Sequence, residues 1–493
     1  MQQRVTKALP KTPDSTAPSV IARIGDGDIA AHSWCSNDPN SLGDVLTVHC
    51  DRPSHSARVW LGYSAPMDDL NDRPKVPTVS RICGDTLIEL AYDPEARTTE
   101  FIIGRPDGWR RASAFDTATG ETLLPYAPAN NLIAHECVML PSGPVDYGGK
   151  DELLRDLEAY LHRYVDLSPL FERIAAHYIL LTWVHDAFNE LPYLRLKGDY
   201  GSGKTRALIA LGSVAYKGFF ASGASTVSPI FHTLDSFGGT LVLDEADLRF
   251  SDKTADLIKI LNNGTVRGLP VLRTLTNRHK EFNPAAFSVY GPKIIAMRGT
   301  FRDQALESRF LTEQMGVRPL RSDIPIQLPA GLKSDALNLR NRLLDFRLRN
   351  LSSISSNSER VIAGIDPRLN QTALSLLSLV DDFNLREDIA AMLREQHRTL
   401  SAARAKSTES RVIGALRKVF TNGDGSSVSL REIAQVANAE EDELDEPLSP
   451  RDAGRVLRTL GVPLHKSHGD IVVPSSARAN TEIAAKRLDV GRN

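Results

Sequence analysis

The hydrophobic pattern changes several times along the chain, and each change predicts a different kind of structure. From residue 20 to residue 149, short stretches alternate apolar and polar side chains, between Pro, Gly, Asp and Asn residues. Examples are Val45–Val48, Arg58–Leu61, Leu87–Leu90 and Glu100–Ile103. Because a period of two buries one face of a strand, residues 20–149 are predicted to form a β-rich N-terminal domain. Residues 1–19, rich in Pro, Ser, Thr and Lys, are predicted to be disordered.

A second pattern, with apolar residues three and four positions apart, follows this region. It runs through Asp151–Glu190 and predicts helices that lead into a short strand, Leu194–Lys197. Strand and helix patterns then alternate, which is typical of an α/β domain with a parallel sheet. The predicted segments are residues 150–325 for this core with its preceding helices, 326–400 for a helical lid, 401–410 for a linker, 411–474 for a C-terminal domain and 475–493 for a polar, basic tail.

The C-terminal segment 411–474 has the pattern of a winged helix. The apolar face of its first helix consists of Val412, Ile413, Leu416, Val419 and Phe420. Ser429 and Glu432 form a capping box for a second helix, and Ser449-Pro450 begins a third. Gly461–Pro474 predicts two short strands, the wing.

Three arginines, Arg451, Arg455 and Arg458, are spaced four and three residues apart and so share one face of the predicted third helix. A recognition helix needs this arrangement to meet the phosphates and base edges of duplex DNA. The alternative is a solvated basic face on a protein-binding winged helix, which the acidic stretch Glu440–Glu446 keeps open.

Composition narrows the classes of function that this protein can have. The 493 residues include 59 basic and 61 acidic ones, a net charge of −2, so a globally basic nucleic-acid binder is excluded and any such contact must come from local patches. No apolar run approaches the ~20 residues of a membrane span, and the N-terminus lacks the apolar centre of a secretory signal, which predicts a cytoplasmic protein. A zinc site at His32, Cys35, His49 and Cys50 is disfavoured, because the spacing typical of metal ligands is absent and because His49 and Cys50, adjacent in a predicted strand, point to opposite faces.

One stretch carries a specific chemical signature. Gly198-Asp199-Tyr200-Gly201-Ser202-Gly203-Lys204-Thr205 matches the pattern G-x-x-x-x-G-K-[ST] between a predicted strand and a predicted helix. Glycines such as Gly198, Gly201 and Gly203 let the loop curl, so that backbone N–H groups, including that of Ser202, face phosphate oxygens. Lys204 would reach the β- and γ-phosphates of ATP, and the Thr205 hydroxyl would bind Mg²⁺.

Two further strands complete this predicted site. The apolar run Thr240–Leu243 ends in Asp244, which would hold Mg²⁺, and in Glu245, which would polarise the attacking water. The strand Gly291–Met297 ends in Arg298, and this end lies beside the γ-phosphate in such folds, at the sensor-1 position. Arg298 or Thr300 would fill that position.

The order of these motifs, followed by Glu307-Ser308-Arg309-Phe310, resembles the AAA+ domain of MCM-type helicases. It is even more similar to the ATPase domains found with primases in phages, plasmids and integrated islands. The resemblance covers about residues 150–400. It departs from the MCM pattern at Arg298, where asparagine is usual. Residues 1–149 also lack the paired catalytic aspartates of a primase.

The resemblance implies further roles. Arg309 matches the arginine finger that reaches the ATP of a neighbouring subunit, and Arg368, at the start of a helix, matches sensor 2. A hairpin at Val271–Tyr290 would project into the ring channel, where Arg278, His279 and Lys280 of its turn would contact single-stranded DNA. The alternative is a solvated polar turn without a DNA contact. The predicted protein is therefore a Mg²⁺-dependent ATPase, assembled as a homo-oligomer, expected to be a hexamer, and acting as a DNA helicase of a mobile element. The alternative is an ATP-switched initiator, loader or antiphage assembly that binds DNA without unwinding it.

Overall fold

The computed structural model of the chain divides into residues 1–72 and 73–493. The described residues are 22–23, 28–29 and 73–490, except 106, 224, 245–251, 277–281, 302, 406, 423–426, 440–446, 468 and 489. In the first unit, Ala22–Arg23 pairs with Asp28–Ile29 in antiparallel fashion. The predicted strands Val45–Val48 and Arg58–Leu61, and the four zinc candidates, lie outside the described residues.

In the second unit, the described residues from 75 to 125 form two small sheets. Their strands are β1 (Lys75–Thr78), β2 (Ser80–Cys83), β3 (Thr86–Asp93), β4 (Thr98–Arg105), β5 (Gly108–Ala112), β6 (Phe115–Asp116) and β7 (Thr122–Pro125). One sheet has the antiparallel order β2-β3-β4-β5, and the other the order β1-β7-β6. The predicted strands Leu87–Leu90 and Glu100–Ile103 lie within β3 and β4, so the β-rich pattern is confirmed for this part.

A parallel sheet forms the centre of the second unit. Its five strands are β8 (Tyr193–Lys197), β9 (Phe219–Ala221), β10 (Leu241–Leu243), β13 (Lys293–Met297) and β14 (Phe310–Gln314). Two further strands, β11 (Val271–Thr276) and β12 (Phe282–Phe287), form a separate hairpin. Within the sheet the order is β9-β10-β13-β8-β14, and every neighbouring pair is parallel. The prediction of an α/β core with a parallel sheet is confirmed.

From residue 150 on, the described residues form thirteen α-helices. In chain order they are α1 (Lys150–Tyr164), α2 (Pro169–Trp183), α3 (Lys204–Val214), α4 (Val227–Phe237), α5 (Asp252–Asn263), α6 (Gln304–Glu307), α7 (Gly331–Asn350), α8 (Pro367–Leu377), α9 (Phe383–Ala405), α10 (Thr408–Asn422), α11 (Leu430–Asn438), α12 (Pro450–Thr459) and α13 (Arg478–Arg487). Local sequence explains several starts. Ser168 accepts a hydrogen bond from the Phe171 amide, and Pro169 occupies the first helical position of α2. In the part of the chain that the structure describes, no helix has the length and apolar character needed to cross a membrane.

The N-terminal sheets share a hydrophobic core with the parallel sheet. Buried side chains from both regions pack in one cluster, among them Ile88, Leu90, Phe101 and Ile103 with Tyr193, Phe219 and Leu241. Glu89 of β3 also enters the core, where it accepts a 2.8 Å hydrogen bond from Nε of Arg347 on α7 and a 2.8 Å bond from the Tyr216 hydroxyl. The border at residue 149 therefore separates two sequence patterns, while packing and ion pairing run across it.

The hairpin between α5 and β13 is confirmed. β11 and β12 pair antiparallel in the register Val271↔Phe287 to Thr276↔Phe282. Val271 and Phe287 are buried at its base, which packs on the core. The turn residues Arg278, His279 and Lys280 lie outside the described residues.

The C-terminal region differs from its predicted segments at two borders. Helix α9 continues through the first half of the predicted linker 401–410, and α10 begins at Thr408. The predicted tail 475–493 contains helix α13, whose Ala484 and Ala485 are buried in the same cluster as α10. Its small alanines produce no strong apolar periodicity, so the sequence did not predict this helix. The three-stranded sheet has the order β15 (Val428–Ser429), β17 (Asp470–Val473) and β16 (His465–Ser467).

Candidate functional site

The glycine-rich loop Gly198–Gly203 joins β8 to α3 at the carboxyl edge of the parallel sheet. Gly203 caps the helix with a left-handed backbone (φ 86°), which a side chain disfavours. Gly198 has no room for a side chain, because an added Cβ atom would lie 2.6 Å from the carbonyl oxygen of Met315. Both positions therefore favour glycine, as the sequence pattern predicts. The loop leads directly into the N-terminus of an eleven-residue helix.

Lys204 and Thr205 are the first two residues of helix α3, and their side chains contact different groups. Nζ of Lys204 donates to the carbonyl oxygens of Gly198 at 2.7 Å and Asp199 at 2.6 Å, so its ammonium group lies within the curve of the loop. The Thr205 hydroxyl donates to Oδ2 of Asp244 at 2.8 Å. Residues 39 positions apart are therefore in direct contact, and the loop and the acidic strand end meet at one place.

The donor set at this contact fits a hard divalent cation. A hydroxyl and a carboxylate oxygen side by side are oxygen ligands of the type that Mg²⁺ prefers. The chain would hold such an ion through Thr205 and Asp244. Glu245, the predicted catalytic base, follows Asp244 directly and lies outside the described residues.

Arg298, the sensor-1 candidate, lies beside the same loop. Its guanidinium carbon is 3.7 Å from the centroid of the Tyr200 ring, within the range of a cation–π contact. A cavity of about 330 Å³ is lined by Lys204, Thr205, Asp244 and Arg298. The sequence predicts Tyr200 only as a loop position, yet this residue is 79% exposed and borders the cavity.

A larger cavity of about 650 Å³ opens on the other side of the loop. It is bordered by the loop and by residues 313–318, and its apolar wall includes Leu320, Ile324 and Ile326. Arg206 of α3 donates to the carbonyl oxygens of Pro325 and Ile326 and thereby fixes this wall to the helix that begins at Lys204. No local signal in the sequence indicates this role of Arg206, because its partners lie about 120 residues away.

Arg309 lies at the amino ends of the parallel strands, whereas the loop lies at their carboxyl ends. It directly precedes β14, and its carbonyl oxygen accepts from the amide of Tyr193, the first residue of β8. Since β8 and β14 are parallel and the loop follows the last residue of β8, the length of a five-residue strand separates Arg309 from its own loop. At ~3.3 Å per residue this is roughly 16 Å.

Arg368, the sensor-2 candidate, lies near Arg309. Burial raises the pKa of Glu190, and hydrogen bonding by Gln371 and the charges of Arg309 and Arg368 oppose that rise, so these groups share one neighbourhood. Gln371 of α8 donates to Glu190 there. Neither arginine is at the glycine-rich loop of its own chain, so the structure separates these two predicted site residues from the others.

The C-terminal arginines are only partly grouped. Arg451 and Arg458 of α12 line a groove of about 480 Å³ next to Asp470 and Ile471 of β17. Arg431 of α11, which sequence reasoning did not single out, lines the same groove. Arg455 forms an ion pair with Asp452, and its side chain is 75% exposed.

The sequence matches no protein-family model and, at significant similarity, no curated protein. The apo C-terminal region of NrS-1 is similar at 12% identity and a TM-score of 0.31, over 78% of this chain and 95% of that chain. A full-length MCM homolog from Methanopyrus kandleri is similar at 12% identity and a TM-score of 0.35, over 65% and 75%. The SCCmec type IV Cch active helicase is similar at 12% identity and a TM-score of 0.33, over 83% and 96%. At these values the likenesses concern the fold alone.

Proposed function

We propose that this protein is an ATP-hydrolysing DNA motor of the AAA+ class. The observation that carries the proposal is the 2.8 Å contact between Thr205 and Asp244 beside the curled loop that holds Lys204. A phosphate-binding loop alone also occurs in proteins that only bind nucleotides. An acidic strand end brought against the loop hydroxyl supplies what hydrolysis additionally needs, a place for Mg²⁺ and for a base.

The residues of the site divide the chemistry between them. Lys204 and the loop amides bind the phosphates. Thr205 and Asp244 would hold Mg²⁺, which would supply positive charge beside the β- and γ-phosphates. Glu245 accepts the proton of the attacking water, and Arg298 senses the γ-phosphate from the end of β13. The adjoining 650 Å³ cavity, with its apolar wall, offers space for the base and ribose.

The position of Arg309 supports assembly into a ring, which we propose to be a hexamer. An arginine finger must reach a γ-phosphate, and Arg309 lies a full strand length from the loop of its own chain. In a head-to-tail ring, this edge of one subunit faces the loop of the next, so Arg309 and Arg368 complete the neighbour's site. The predicted AAA+ core, lid and winged helix are part of this proposal.

DNA contacts are proposed at two places. The hairpin turn with Arg278, His279 and Lys280 would hold a single strand in the ring channel. Phe282, next to this turn on β12, is 76% exposed, and an aromatic ring in that position can stack on a base. The groove of Arg431, Arg451 and Arg458 in the proposed winged helix would dock duplex DNA through its phosphates.

Forked-DNA unwinding by the purified protein tests the proposal. We expect ATP hydrolysis that single-stranded DNA stimulates, and strand separation that requires ATP and Mg²⁺. The matched control is Glu245→Gln, which should bind ATP and DNA but neither hydrolyse nor unwind, because only the base is lost. If ATP binding changes DNA affinity while the parent protein unwinds nothing, the motor is excluded and an ATP-switched assembly replaces it.

A further inference from the structure

The side chain of Arg309 is held in place by one residue, Asn262 at the end of α5. Nη1 of Arg309 donates to the backbone carbonyl oxygen of Asn262 at 2.7 Å and to its side-chain Oδ1 at 2.7 Å. Nη1 carries two hydrogens, and these two acceptors use both. Nε and Nη2 make no hydrogen bond to the described residues, so the remaining donors of the guanidinium stay available for a further ligand.

A second residue fixes the orientation of Asn262. Its Nδ2 donates to Oδ2 of Asp303 at 3.0 Å, which leaves Oδ1 facing Arg309. The other carboxylate oxygen of Asp303 accepts from the Ala305 amide at 2.9 Å and caps α6, the short helix that leads to Arg309. Asp303 is therefore anchored to the backbone, and the reversed orientation of the Asn262 amide would set its oxygen against a carboxylate.

Asn262, Asp303 and Arg309 are all partly buried, and the pKa shifts of Asp303 and Arg309 reflect this partial shielding from water. Burial lowers the pKa of Arg309, although nearby Tyr193 and Asp303 oppose the shift. Burial by itself would raise the pKa of Asp303, but the hydrogen bonds from Asn262 and the amides of Ala305 and Leu306 hold it below its usual range. Asp303 thus stays ionised near neutral pH, as its acceptor role toward Asn262 requires.

We infer that Asn262 and Asp303 are positioning residues for Arg309, which they hold ready to meet the nucleotide of the neighbouring subunit. The inference rests on the proposed function, in which Arg309 acts across subunits. A long arginine side chain loses much rotamer freedom when it is fixed against a phosphate. Two hydrogen bonds that already fix it in the free subunit remove much of this cost before the transition state forms.

The effect should appear in turnover and not in ATP binding. Asn262→Ala removes the Oδ1 acceptor, so we expect kcat to fall by about 10- to 100-fold, the range typical of outer residues that orient a functional group. KM for ATP should stay near the parental value, because the loop that binds ATP lies at the opposite sheet edge. Asn263→Ala is the matched control, since it changes the next residue of the same helix and should leave kcat unchanged.

A charge swap separates positioning from general damage to the fold. Asn262→Asp alone places two carboxylates in contact and should lower kcat. Asn262→Asp combined with Asp303→Asn restores every hydrogen bond between the side chains. The new carboxylate at position 262 can accept from Arg309, and the new amide at position 303 can donate to that carboxylate and still cap α6. We expect the double variant to recover most of the lost kcat, and failure to recover would overturn the inference.

Mixed rings give an independent readout. When Asn262→Ala subunits are mixed with Lys204→Ala subunits, some Asn262→Ala subunits receive Arg309 from a neighbour whose tether is intact, so activity should exceed that of either variant alone. A lack of recovery in proven mixed rings contradicts the inference. If Arg309→Ala abolishes turnover while Asn262→Ala does not reduce it, only the positioning role fails. If Arg309→Ala turns over normally, the cross-subunit site of the proposed function fails as well.

Discussion

The pKa of Lys293 shows how strongly burial in this fold changes the charge state of a single side chain. The side chain is fully buried at the start of β13, and its Nζ donates to the carbonyl oxygens of Val289 and Gly291, both at 2.9 Å. Among the described residues, no carboxylate forms an ion pair with it. Burial lowers the pKa of Lys293 to about 7. The amine therefore changes its charge in the physiological range, at the base of the strand whose other end carries Arg298.

This burial predicts a pH-dependent stability. The folded-state pKa of about 7 lies below the ~10.4 of an unfolded lysine, so between these values the unfolded chain binds more protons. The contribution of Lys293 to the free energy of unfolding should therefore rise from pH 7 to pH 10, by at most ~1.4 kcal/mol per pH unit. Urea denaturation of the parent and Lys293→Met at several pH values should show a difference that changes with pH. A difference that stays constant with pH for Lys293→Met would disprove the shift.

At the scale of elements, the hairpin β11–β12 has two unlike faces. Val271 and Phe287 pack on the core, whereas Leu272 and Phe282 on the opposite face are 68% and 76% exposed. Antiparallel pairing puts residues of the same register on the same side, so this outer face also carries Thr274, Pro284 and Ala286 and is mainly apolar. Such a face beside a basic turn combines the two features that bind single strands, stacking surface and positive charge.

Variants of the hairpin test whether DNA binding can be lost while basal ATP hydrolysis is retained. Arg278→Ala with Lys280→Ala should leave basal ATP hydrolysis nearly intact and abolish both its stimulation by DNA and unwinding. Phe282→Ala should weaken single-strand binding by ~1–3 kcal/mol, the usual value of one stacked base. Phe282→Trp should retain binding, and its fluorescence should be quenched when single-stranded DNA is added. Normal unwinding by the double variant would contradict a moving hairpin.

At the scale of the whole molecule, the two halves of the proposed catalytic centre lie at opposite edges of one sheet. Lys204, Thr205 and Asp244 lie at the carboxyl edge, and Arg309 and Arg368 lie near the amino edge. A parallel sheet fixes this separation, because the strands cannot shift without breaking their shared hydrogen bonds. One isolated subunit therefore cannot bring both halves together.

This arrangement predicts that hydrolysis depends on assembly. Arg309→Ala should retain ATP binding and lose most turnover, and Lys204→Ala should lose nucleotide binding. When the two are mixed, interfaces that join an intact loop to an intact arginine should restore part of the activity. The measurement is ATP turnover across mixing ratios, with mixed rings verified by mass spectrometry. No recovery at any ratio would contradict a residue that acts across subunits.

Features that depend on neighbouring residues could be predicted from the amino-acid sequence. The glycine-rich loop, the capped starts at Ser429 and Ser449, and the alternation of strands and helices are all set by short-range backbone preferences. Both Thr205 and Asp244 are assigned to Mg²⁺ from the sequence, and their 2.8 Å contact agrees with this shared assignment, since parallel strands end at a common edge. These features were predictable because their physical causes lie within a few residues or in the sheet topology.

The meeting of distant side chains, in contrast, became visible only in the folded molecule. The tether from Asn262 to Arg309, the bonds from Arg206 to the wall at Ile326, and the buried pair of Glu89 and Arg347 join residues between 47 and 258 positions apart. The continuous core beneath the N-terminal sheets belongs to the same class. No local pattern encodes these contacts, because they arise when whole elements pack and each buried polar group must find a partner wherever the fold places one.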